Sequence, residues 1–427
     1  MAGHVASLIY LSLMTELFSD THRIEFRATR EAGQARLQAF KPRMGGYYAQ
    51  NRNADLDPGE RTNVSALSPW IRHRLILEED VARAALDRFA FSTAEKFHQE
   101  ICWRTYFKGW LEHRPGVWTA YQDALSVQLD RLEANSGLRS AYEAAVSGNA
   151  GIEGFDDWAT ELVETGYLHN HARMWFASIW IFTLKLPWEL GADFFLQNLM
   201  DGDPASNTLS WRWVGGLHTR GKTYLARRAN IEKYTDGRFS PDGLSATADP
   251  LDGYENPPVE KLNLPKGSVS GRVGLLVTEE DLHITSLGSF ADKISAISGC
   301  VFPADRSPNG AGKLARDFAE SALEDALRRG MERFEVQTRT LKSASFESGL
   351  VAWARDAKLS AVMTGYAPCG WVRPRLDAAR AALAEHDIDL VEKVRDWDRA
   401  FWPYATKGFF GLKKQIKDVY AELGLPV

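Results

Sequence analysis

The chain has 427 residues, 44% of them hydrophobic and 25% charged, with a formal net charge of −5. That length exceeds one ordinary core and points to two domains, while the composition is that of an ordinary globular protein. The negative balance excludes polyanion binding through bulk charge, so any nucleic-acid contact has to come from a local basic patch.

Residues 1–22 read as an N-terminal extension. Its apolar run, residues 5–14, is too short to span a bilayer and lacks the basic start of a signal peptide, so a short segment docked on the body is expected. Residues 23–234 carry helical periodicity, as in 82–89, 156–164 and 192–200. The apolar stretch 174–186 stops before Pro187, as a buried central helix would. Residues 235–271 are dense in Pro and Gly and read as a connection. From 272 to 427 a βα rhythm follows. Strands are predicted at 273–277, 297–302, 333–337, 361–365 and 389–392, and helices at 311–330 (closed by Gly330), 346–357 and 374–386. The expected fold is α plus α/β: an all-helical domain followed by a doubly wound parallel-sheet, Rossmann-like domain. No glycine-rich phosphate fingerprint follows the first strand, so no dinucleotide is expected there.

Cys102, Cys300 and Cys369 lie far apart, giving neither a disulfide framework nor a zinc signature, and a reducing cytoplasm fits them. Aromatics reach 11%, with 14 Trp. Beside a Trp-rich core, that suggests stacking surfaces, flavin chemistry or electron transfer. Three segments carry chemistry. In the first, Glu100, Trp103 and Arg104 share one helix face, where a carboxylate, an aromatic plate and a guanidinium can read a flat polar ring and hold a phosphate. In the second, Asn170 and Met174 share a face and Arg173 points elsewhere. The third, residues 201–213, packs Asp201, Asp203, Asn207, Trp211, Arg212 and Trp213 around a Gly/Pro turn. A metal is one reading of the two acids, but a Trp-rich setting with few further oxygens suits Mg²⁺ or Ca²⁺ poorly. A carboxylate pairing with Arg173 is the other.

In combination these segments resemble the flavin domain of the cryptochrome/photolyase family over residues 25–240. The resemblance implies FAD as cofactor. Tyr48 would cradle it, Ser65, Leu67 and Ser68 would grip its pyrophosphate, and Arg104 would contact it. Arg173 and Asp201 would form the ion pair facing the flavin, Asp203 would lie at its N3/O2 edge and Asn207 opposite N5. Glu100, Trp103, Asn170, Met174 and Trp213 match the residues that hold a cyclobutane pyrimidine dimer. The (6-4) enzymes carry histidines at the places of Asn170 and Met174. Trp211 and Trp188 match the first two members of the family's photoreduction chain. The usual third Trp is missing from residues 121–148, where Tyr142 or another aromatic would have to substitute. His171 stands where many relatives have Arg.

Residues 207–240 hold seven Lys/Arg against two acids. A DNA face with Arg52, Arg212, Arg220 and Lys222 is expected there, engaging damaged DNA and no membrane, as a monomer. The tail also resembles the family's antenna domain, at residues 314–327 and 395–414, in reversed order. That implies a domain permutation, and a cleft for a second chromophore such as a folate or deazaflavin that the sequence does not identify. The expected activity is light-driven dimer repair. The alternative is a cryptochrome-like photoreceptor, against which stand the five matching pocket positions and the lack of a long tail before Val427.

Overall fold

The computed structural model describes residues 24–253, 255–289 and 294–427. The extension 1–22, with its apolar run, lies outside the described residues.

Helices come first. They are α1 (Arg30–Phe40), α2 (Gly46–Asn51), α3 (Ser68–Arg72), α4 (Glu78–Leu86), α5 (Glu95–Glu112), α6 (Gly116–Ala134), α7 (Ser136–Val146), α8 (Phe155–Thr165), α9 (Asn170–Ser178), α10 (Trp188–Asn198), α11 (Pro204–Val214) and α12 (Arg228–Tyr234). Local signals set their ends. Thr29 caps α1 by accepting the Ala32 N–H, Gly166 ends α8 in the left-handed region, and Asp203 caps α11 with Pro204 in its first turn. The apolar run after α9 continues as a π-helical turn, Ile179–Thr183, and is buried as expected of a central segment. Residues 97–112 of α5 are wrapped on several sides: α11 packs against it, as do α2, α4 and the last helices of the chain.

A five-stranded parallel sheet follows, in order β3-β2-β1-β4-β5. Its elements are β1 (Val273–Thr278), α13 (Ile284–Gly288), β2 (Ile294–Cys300), α14 (Lys313–Phe334), β3 (Thr338–Thr340), α15 (Phe346–Asp356), β4 (Ala361–Gly365), α16 (Val372–Ala384) and β5 (Asp389–Lys393). The chain starts at the centre with β1, winds outward through β2 and β3, then returns to β4 on the other side. β1 pairs with β4 in register, Leu275 opposite Met363. Helices α13 and α14 pack together, as do α15 and α16, giving the doubly wound arrangement expected.

Two expectations are corrected. Residues 333–337 are not a strand: α14 runs through Phe334, Glu335 ends it at φ 54°, and β3 begins at Thr338. Gly330 is not a cap either. It lies inside α14, where a Cβ would come within 2.5 Å of Ile284, so it permits close packing. The chain ends with α17 (Asp396–Phe401), α18 (Phe409–Lys413) and α19 (Ile416–Glu422), folded back onto α5. Among the described residues no helix is long and apolar enough to cross a membrane.

Candidate functional site

The loop before α3 carries an unusual backbone. Ala66 sits at φ 50° and Leu67 at φ −80°, ψ −6°. A left-handed residue followed by a right-handed one turns successive amides to one side, the concave nest that binds anions. Buried Arg36 braces the loop from within, donating to the carbonyls of Ser65 and Val64. Tyr48 lies close by in the core, edge-on to Phe97 at 5.1 Å.

Ser68 leads from this loop to a buried charge cluster. Asp201 accepts from Arg173 at 3.0 Å and lies 3.7 Å from Arg104, which also donates to its carbonyl. Burial would raise this carboxyl, but Arg173 and Arg104, with the Ser68 hydroxyl beside them, hold it below the ordinary aspartate range. Asp203 is likewise driven down against its burial, by Lys108 at 3.4 Å, Arg104 at 4.0 Å and Arg72 at 3.8 Å. Its Oδ1 caps α11 through Ser206 N. Asp201 Oδ1, Asp203 Oδ2 and the Ser206 hydroxyl are buried without a hydrogen-bond partner among the described residues. One turn on, Asn207 is buried and donates to Ala192 O, with Trp211 a further turn along the same face. The arrangement combines an amide nest, two ionised acids with acceptor atoms to spare, and guanidinium groups held in place. Arg72 and Lys108 had not been singled out from sequence. Lys108 continues the Glu100–Arg104 face at four-residue spacing, a signal that was there to use.

Next to this cluster, helices α5, α9 and α11 meet: α11 packs against both others. They carry Glu100, Trp103, Asn170, Met174 and Trp213, each at least partly open to solvent. Glu100 pairs with Arg52 at 2.7 Å, and burial raises its carboxyl against that partner. Asn170 Nδ2 lies 3.9 Å from Met174 Sδ. Trp213 stacks on Tyr224 at 5.6 Å. Trp103 is clamped from behind: Phe409 of α18 stacks on its indole, with centroids 3.8 Å apart and planes at 12°. Phe409 is a wall residue that sequence reading missed, because nothing local ties it to Trp103.

The basic segment is only partly a surface. Arg212, expected on the DNA face, is buried and donates to Asn256 at 3.0 Å, so it braces the connection. Arg238 pairs with buried Asp55. Arg52 faces Glu100, and Arg220 is exposed beside Glu255. Lys222 and Arg227 are exposed. A cavity of about 500 Å³ lies between Tyr224, Arg227 and Asn230, next to the Trp213 stack. His171 binds the Asn53 carbonyl at 2.7 Å and so points inward, with burial holding its ring below the ordinary histidine range.

The carboxyl edge of the sheet, where α/β proteins take ligands, is packed with protein. Glu280 binds Arg72 at 2.6 Å, Glu279 accepts from Trp371 Nε1 at 2.8 Å, and Asp281 receives two bonds from Arg395. These residues do not fit a second chromophore at that edge.

Part of the chain is similar to known proteins. Residues 97–246 match the family model described as the FAD binding domain of DNA photolyase. A deoxyribodipyrimidine photo-lyase of Synechococcus is 31% identical over 189 residues, 43% of this chain and 37% of that protein. The Escherichia coli photo-lyase is 30% identical over 231 residues, 51% of this chain and 45% of that protein. A cryptochrome DASH of Idiomarina loihiensis is 28% identical over 236 residues, covering 54% and 49%. The chain thus spans under half the length of these curated relatives. A class III photolyase structure from Agrobacterium tumefaciens aligns with TM-score 0.41 at 25% identity, covering 49% of this chain and 43% of that one. The matched residues take in α5, α9 and α11, the helices that build the charge cluster and the open aromatic face, so this part of the chain is similar to the FAD binding domain of DNA photolyase.

Proposed function

We propose that this protein binds FAD at the Asp201–Asp203 cluster and repairs cyclobutane pyrimidine dimers in DNA with light. The observation that carries the reading is the meeting of α5, α9 and α11, which sets five part-exposed pocket residues beside a buried cluster with acceptor atoms unused. The residues fit the cofactor: the Ser65–Leu67 nest and Ser68 suit a pyrophosphate, Arg104 and Arg173 a phosphate or an electron-rich ring edge, and Asp201 and Asp203 a ring N–H. Bound FAD, once reduced, supplies the photoexcited electron that splits the cyclobutane ring and then takes it back.

The remaining work falls to side chains. Trp103 and Trp213 offer aromatic faces to a flipped-out dimer, a stacking that offsets part of the cost of extrusion. Glu100, its carboxyl raised by burial, hydrogen-bonds the pyrimidine edge while Arg52 holds it in place. Asn170 and Met174 line the floor. Lys222, Arg220 and Arg227 track phosphates along the rim. Domain-order permutation is part of the same reading: the sheet that follows the helices stands where an antenna domain would otherwise precede them. The cryptochrome DASH likeness keeps a photoreceptor as the rival.

The test is a blue-light assay of the reduced holoprotein on a thymine-dimer oligonucleotide, with a (6-4) substrate and a dark control alongside. Repair of the first substrate only, in light only, is expected. Glu100→Ala and Trp213→Ala should each lower repair at least about tenfold with FAD retained. Wild-type repair rates in both variants would overturn the pocket assignment, and a protein without FAD affinity would overturn the whole reading.

A further inference from the structure

Three aromatic rings run from the Asp203–Asn207 face of α11 to the surface; Trp211 and Tyr142 were named from the sequence, and the ring between them, Trp180, was not. Trp211 is buried and stands edge-on to Trp180, with centroids 6.2 Å apart and planes at 88°. Trp180 stands edge-on to Tyr142 of α7, at 6.0 Å and 87°. Trp180 is fully buried in the π-helical turn, its Nε1 held by Pro187 O at 2.9 Å. Tyr142 is only partly buried, so the series reaches solvent. Gly191 of α10 makes the indole contact possible. A Cβ there would stand 2.4 Å from Trp211 and 2.8 Å from Trp180, so any larger residue would force the rings apart. Trp188, the expected second member, faces Tyr121 at 5.6 Å, and Tyr121 faces Trp118 at 5.3 Å. Both of those rings are buried, at 2% and 6% exposure.

We propose that Trp211, Trp180 and Tyr142 carry electrons inward to FAD held beside Asn207, with Tyr142 as the terminal donor. This rests on the FAD reading above. Light-excited oxidised flavin takes one electron from the Trp211 indole. The vacancy moves to Trp180 and then to Tyr142, whose phenol releases its proton to water. A thiol in solution returns a hydrogen atom to the tyrosyl oxygen and becomes a thiyl radical. The net change is one electron gained by the cofactor, one thiol oxidised by one electron and one proton released.

The experiment uses FAD-loaded full-length protein under blue light with dithiothreitol and no oxygen. Flavin absorbance and transient spectra of aromatic radicals are followed together. The wild type should show a tyrosyl radical. Tyr142→Phe should lose that signal and photoreduce about tenfold more slowly or worse, with FAD affinity unchanged. Trp180→Phe should lose the signal as well, and Gly191→Ala should slow the transfer if it folds. Wild-type rates and an intact tyrosyl signal in Tyr142→Phe and Trp180→Phe would overturn the route. So would loss of photoreduction in Trp188→Phe alone. Failure to bind FAD in the dark would instead strike the cofactor reading, and the route with it.

Discussion

Asp201 and Asp193 show how the same residue type serves opposite ends. Asp201 is buried but doubly countered, so its folded carboxyl lies below the ordinary value of 3.8. The stability it contributes is present above that value and is lost as pH falls below it. Asp201→Asn leaves Arg173 and Arg104 without their partner. It should cost about 3 kcal/mol, shed FAD on purification, and flatten the acid limb of a melting-temperature profile between pH 4 and 2. Asp193 is buried, with Gln197 donating to one oxygen at 2.6 Å and the Ser307 hydroxyl also near the carboxylate. Burial pushes it up to about 6. Here the folded state holds the proton, so stability is full below the unfolded value and falls as pH rises through about 6. Asp193→Asn should therefore gain roughly 2 kcal/mol at pH 8 and little at pH 4, as read from thermal melts at the two pH values. A melting temperature unchanged at pH 8 would show that burial does not raise the Asp193 carboxyl.

At the scale of elements, α5 is the helix on which everything leans. Its Arg104 and Lys108 serve the charge cluster, while Cys102, Thr105 and Gly109 meet the end of the chain. A Cβ at Gly109 would stand 2.7 Å from Trp402 and 2.9 Å from Ala405. Gly109→Ala should cost about 1–3 kcal/mol with flavin binding at room temperature kept; denaturant titration checks it. Helices of this kind were legible in sequence because burial on one side leaves a 3.6-residue period. Capping showed too: Asp203-Pro204 is a helix start on sight. β3 was not legible, because it is three residues long and the alternating Arg333–Gln337 stretch imitates a strand while its first two residues finish α14. Nor were the partners of Asp203, since the acid that shares Arg72 with it, Glu280, sits in the other half of the chain, 208 positions from Arg72. Charge pairing across such distances leaves no local pattern. The surface role expected of Arg212 failed for a related reason: composition counts charges but does not say which ones face water.

At the scale of the molecule, the helical part and the sheet are fastened by buried ion pairs. Arg72 joins Asp203 and Glu280, and Arg74 reaches Asp281 and Asp398. Such pairs do more to fix one arrangement than to raise stability. They also close the sheet's carboxyl edge to a second chromophore. The stack of Phe409 on Trp103 has its own outcome. An indole pressed between neighbours cannot swing to suit its guest, so the slot it borders keeps one width. On the proposed function, selectivity for damaged over intact pyrimidines would then come from rigidity, with little adjustment on entry. Phe409→Ala should free the ring and narrow the preference for dimer-bearing over undamaged DNA severalfold, in competition binding in the dark, more through better tolerance of the wrong guest than through loss of the right one.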